Sequence, residues 1–140
     1  MLIEESVLIN ADLRKIWETF TDLTGWPAWN TVALEAASDS GRLEEGGTFV
    51  FTLGTLAVPI KIEPRIKELV PCERVVWSGA LFGISSNHEF LFQQAANGVL
   101  VTSRETFRGL PLLLGITFPE STVRDLTVTM LADLKKAAEK

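Results

Sequence analysis

"PESTVRDLTVTMLADLKKAAEK", residues 119–140, decides how this chain folds. Val123, Thr127, Met130, Leu131, Leu134 and Ala138 recur at three- and four-residue intervals, which predicts a helix with one apolar stripe. Pro119 suits a first turn, Glu120 the positive N-terminal end, and Lys135 with Lys136 the negative C-terminal end. The spacing predicts one helix over 119–139, roughly 30 Å long at about 1.5 Å per residue. So long a helix must lay its stripe on something. What precedes it is a run of strands.

Period two dominates the middle of the chain. In "GTFVFTL" (47–53), Phe49, Phe51 and Leu53 share a face. In "VPIKIEPRIKEL" (58–69), Ile60 and Ile62 alternate with Lys61 and Glu63, and Pro64 predicts a bulge or an edge position. "RVVWSGAL", "SSNHEFLFQQ" and "VLVTSRETFRG" read as three more strands, with Asn97-Gly98 a strong hairpin signal between the last two. At the front, "LIEESVLI" is a strand. "NADLRKIWETFTDL" is a helix with Leu13, Ile16, Trp17 and Phe20 on one side and Asn10 as its expected N-cap. A strand, a helix, about six strands and a long helix make an α+β chain with a mostly antiparallel sheet. A sheet that curls around the last helix leaves space between the two.

The bulk properties narrow the function. The 140 residues fit one domain, 1–140, with no linker or repeat to divide it. With 46% hydrophobic and 22% charged residues the chain is of ordinary globular composition. A net charge of −5 and no Lys/Arg cluster argue against nucleic acid as a partner. The longest apolar stretch, "LPLLLGITF" (110–118), is short of the roughly 20 residues that a membrane span needs. No signal peptide is read in "MLIEESVLIN", and the lone Cys72 follows Pro71 in a turn. A soluble, cytoplasmic protein without stable membrane insertion is the expectation.

Three stretches carry a resemblance. "VLINADLRKIWETFTDLTGWPAWN" (7–30), "ELVPCERVVWSG" (68–79) and "NHEFLFQQAANGVLVTSRETFRGL" (87–110) resemble the START-like or SRPBCC superfamily, which includes polyketide cyclase/dehydrase and pollen-allergen-like proteins. The resemblance covers nearly the whole chain. It implies the helix-grip fold, a curved antiparallel sheet wrapped around a long C-terminal helix with two short helices after the first strand. Members of that group include carriers, receptors, enzymes and co-chaperone activators, so fold alone does not select among them.

Within such a fold the single histidine stands out. His88, Phe90 and Phe92 share one face of their strand; Val101, Ser103, Glu105 and Phe107 share one of the next. A four-residue turn (95–98) sets His88 directly opposite Glu105; a two-residue Asn97-Gly98 loop makes them diagonal neighbours. Their side-chain origins then lie about 5 Å or about 7–8 Å apart. Desolvation pushes a pocket carboxyl toward neutrality unless a cationic His88 pairs with it. The pair reads as a general acid/base couple, as a polar anchor for an apolar ligand, or as a buried hydrogen-bonded pair that organises the strands. "HEFLF" lacks the second histidine of a zinc motif, and no nucleotide fingerprint or activated nucleophile is present, so neither metal nor cofactor is expected.

The candidate ligand-binding residues are therefore mostly apolar. Phe49, Phe51, Ile60, Ile62 and Trp77 come from the early strands, Phe90 and Phe107 from the hairpin that also carries His88 and Glu105, and Met130 and Leu134 from the last helix. Trp26 and Trp29 in "GWPAWN" (25–30) either close one end of a cavity or fill core. "GLPLLLGITFPES" (109–121) is too apolar for an ordinary exposed loop and is expected to fold over the mouth as a lid, with Leu113 and Phe118 reaching toward Trp26 and Trp29. Its alternatives are core filling or a homodimer contact. The expected partner is a small hydrophobic molecule. The other readings are a cofactor-free cyclase/dehydrase-type enzyme using His88 and Glu105, or a protein-interaction module.

Overall fold

Strand β1 (Leu2–Ile9) ends three residues before the cap of the first helix, α1 (Leu13–Thr21). That cap is Asp12, not Asn10: the Asp12 carboxylate accepts from the Lys15 backbone N–H at 3.3 Å, the three-residue reach of an N-cap. The Asn10 backbone N–H instead donates to the Glu139 carboxylate at 2.8 Å, tying the two ends of the chain. A 3-10 helix, Leu23–Ala28, follows α1 directly, capped by Asp22. Residues 1–54, 58–114 and 119–140 are described by this computed structural model.

Seven further strands follow: β2 (Ala33–Ala37), β3 (Val50–Leu53), β4 (Ile60–Ile62), β5 (Arg65–Val70), β6 (Arg74–Leu81), β7 (Ile84–Ala95) and β8 (Gly98–Gly109). All named pairings are antiparallel, in a five-stranded sheet ordered β1-β8-β7-β6-β5 and a three-stranded one ordered β2-β3-β4. The stretch 58–69 is thus two strands in two sheets rather than one bulged strand. Pro64 makes the break, because it has no N–H to give a ladder; its carbonyl accepts from the Phe49 N–H at 3.2 Å. That bond, the Ile66 N–H to Gly47 carbonyl bond at 2.8 Å and a Thr48–Arg65 bridge stitch the small sheet to the large one. The two together form one curved wall.

The β7–β8 hairpin closes at Ala95 opposite Gly98, so His88 faces Glu105 directly. Glycine is required at 98: its φ is +142°, and a Cβ there would stand 2.5 Å from the Ile9 carbonyl. A one-turn helix, α2 (Leu110–Leu113), follows the hairpin. The last helix, α3 (Glu120–Ala138), has Thr127, Leu131, Leu134 and Ala138 buried. Lys135 donates to the Leu8 carbonyl at 2.8 Å, Arg124 pairs with Glu5 at 2.9 Å, and Asp133 accepts from the Thr31 N–H at 2.9 Å and hydroxyl at 2.6 Å. No helix among the described residues is long and apolar enough to cross a membrane.

One half of the space between sheet and helix is filled. Phe20 of α1 packs on Phe90 at 4.7 Å, on Phe92 at 5.5 Å and parallel to Trp77 at 6.1 Å. Trp26 lies against Phe20 and Phe49, and its indole N–H donates to the Phe20 carbonyl at 2.9 Å. The other half is open.

Candidate functional site

The open half is a cavity of about 320 Å³ between the curved wall and α3, near the lower end of ordinary small-molecule sites. The periodicities of the elements determine what lines it. Trp77, Gly79 and Leu81 alternate along β6, with Ala80 also reaching the wall; Ile84, Ser86 and His88 alternate along β7, and Glu105 and Phe107 along β8. Phe51 and Leu53 of β3 and Ile60 and Ile62 of β4 supply the small sheet's share. From α3 come Val123, Leu126, Thr127 and Met130, spaced i, i+3, i+4, i+7, together with Thr122. The wall runs from Trp26, 1% exposed, to Phe82 in the β6–β7 turn, 81% exposed.

Of the residues singled out from the sequence, Trp26, Phe51, Ile60, Ile62, Trp77, His88, Glu105, Phe107 and Met130 stand on this wall. Phe49, Phe90 and Leu134 do not: they point inward but sit farther along, in the half packed by Phe20 and Trp26. Trp29 is half-buried against Trp26, 5.8 Å between ring centres, outside the wall. Leu113 is 84% exposed and does not fold inward, because one helical turn bracketed by Gly109 and Leu114 leaves its side chain in solvent. Phe118 lies outside the described residues. Gly79, Leu81, Ile84, Ser86, Val123 and Leu126 were missed as site residues, although extending the alternation from Trp77 and His88, or the helical stripe back from Met130, finds them.

Polar groups are few on this wall, and two of them face each other. His88 Nδ1 lies 3.6 Å from Glu105 Oε2, and His88 Nε2 shares a 2.7 Å hydrogen bond with the Ser103 hydroxyl. A carboxylate beside Nδ1 favours the tautomer protonated there, which leaves Nε2 to accept from Ser103. The imidazole is also enclosed by aromatic rings, stacked on Phe90 at 4.2 Å and edge-on to Trp77 at 5.4 Å. Burial pushes its pKa below the ordinary 6.5, against the opposing pull of Glu105. Burial thus favours the neutral imidazole. Among the described residues no three His, Cys, Asp or Glu side chains group closely enough to ligate a metal.

A curved antiparallel wall, a long C-terminal helix across it and a largely apolar cavity between them define a helix-grip protein. The chain belongs to the family described as polyketide cyclase/dehydrase and lipid transport, which matches residues 2–139. Solved structures share the fold at low identity. The hypothetical protein jhp0584 of Helicobacter pylori is 15% identical with a TM-score of 0.80, over 99% of this chain and 88% of that one. Protein CV1439 of Chromobacterium violaceum is 14% identical with a TM-score of 0.76, over 99% and 97%. DynU16, from the dynemicin biosynthetic locus, is 13% identical with a TM-score of 0.78; 99% of this chain spans 47% of that one. No curated protein matches the chain in sequence.

Proposed function

We propose that the chain, acting as one domain, binds a small hydrophobic molecule in the cavity between the curved wall and α3. The observation that carries this reading is Gly79. It sits mid-strand on the cavity face, where glycine costs about 0.5–1 kcal/mol relative to alanine. A Cβ there would meet Pro64 at 3.7 Å, an ordinary contact, so a β-carbon is sterically permitted. Its absence leaves room for a ligand. Neither metal nor cofactor is part of the proposal, and a cytoplasmic setting suits the free Cys72.

Titration with the neutral fluorophore N-phenyl-naphthylamine tests it. The native chain should bind saturably, and Gly79→Leu should weaken binding by at least about tenfold without lowering the melting temperature, since it adds buried apolar surface and removes a strand glycine. Absence of saturable binding to the native chain, or undiminished binding to the variant, contradicts the reading.

The 3.6 Å approach of His88 to Glu105 favours a second reading, in which the bound molecule also exchanges protons with this pair. Incubation with a linear poly-β-ketone should then yield a dehydrated or cyclised product whose rate falls at least about a hundredfold in Glu105→Gln, the scale of general acid–base catalysis.

A further inference from the structure

Glu105 limits what the cavity accepts. Its side chain is 16% exposed, and among the described residues its one ionisable partner is His88, at 3.6 Å; none of them donates a hydrogen bond to the carboxylate. On its other side, in β1, stands Ile3, fully buried and without a side-chain donor. Among the described residues that line the cavity there is no lysine or arginine. The cations of β8 face outward, where Arg104 pairs with Glu4 at 2.5 Å and Glu89 at 3.5 Å. A carboxylate in that position has acceptor sites that the protein leaves to water or to the ligand. A molecule that displaces the water must supply N–H or O–H donors, because an unmatched buried acceptor is costly. A cation gains most, since hydrogen bonds to a carboxylate are strongest from a charged donor. An anionic head group meets like charge and no counter-ion.

Given the ligand-binding reading above, on which this step rests, we propose that the cavity selects a compact apolar molecule carrying a hydrogen-bond donor, above all a protonated amine, seated on Glu105, and that it rejects carboxylates and phosphates. At about 320 Å³ the space suits a ligand of a few rings better than a two-chain phospholipid.

The test uses three probes with one apolar body, naphthylmethylamine, naphthylmethanol and naphthoic acid, titrated calorimetrically near neutral pH. The amine should bind the native chain at least about tenfold more tightly than the acid, with the alcohol between them. In Glu105→Gln the amine and the acid should come within about threefold of each other while the alcohol is nearly unaffected. Equal affinity for amine and acid in the native chain overturns the inference, whether or not the variant folds, and leaves the cavity reading standing if the alcohol binds. An amine preference that survives Glu105→Gln also overturns it. If none of the three binds, the cavity reading fails and this inference with it.

Discussion

His88 is the residue whose chemistry the fold changes most. Its ring is enclosed by Phe90, Trp77 and Ser103, and burial lowers its pKa from 6.5. An unfolded chain therefore takes up the proton first as pH falls, while the folded chain resists it. The contribution to stability is complete above about pH 6.5 and is lost as pH falls from there toward the folded value. The urea midpoint should drop between about pH 7.5 and about pH 5.5, and His88→Gln should flatten that drop. A midpoint that falls equally in the variant would assign the effect to other groups. The inward direction of His88 and Glu105 was legible from alternation with phenylalanines. The packing around the pair was not, because Trp77 reaches His88 from the neighbouring strand.

At the scale of the elements, the β7–β8 register rests on where the hairpin closes. The sequence left two closures open, and pairing of Ala95 with Gly98 selects direct opposition of His88 and Glu105. Gly98 must be the residue that ends the turn, since the end of β1 approaches its α-carbon too closely for a side chain. The β6–β7 turn shows the reverse case. Phe82 and Gly83 form a two-residue connection with φ of 53° and 78°, a conformation that suits Asn-Gly. A phenylalanine there is strained and 81% exposed. Phe82→Asn should stabilise the chain by about 1 kcal/mol, raising the melting temperature by roughly 3 °C. A decrease would mean that Phe82 contributes packing its exposure does not reveal. Phe82 lies on the cavity wall, and Leu110 and Leu113 are likewise exposed in α2.

For the whole molecule, the fold was legible because each element carries its own period and the order of elements leaves few architectures. Faces were legible too: Phe49, Phe90 and Leu134 do point inward. Their distance along the cavity was not. Alternation gives the side of a strand a residue occupies, whereas Phe20 and Trp26, delivered by α1 and the 3-10 helix, decide which half of the interior is filled. Pro64 likewise announced an irregularity, but only the neighbouring strands made it a boundary between two sheets. The cavity is thus what remains of a core after one end has been packed with aromatic rings. Its location is the central claim. An NMR spectrum of the chain saturated with naphthylmethanol tests it most directly, through nuclear Overhauser contacts from the naphthyl protons. Contacts to the Trp77 indole, the Phe107 ring and the Met130 methyl are predicted; contacts confined to Leu110, Leu113 and the outer surface of α2 would contradict the account.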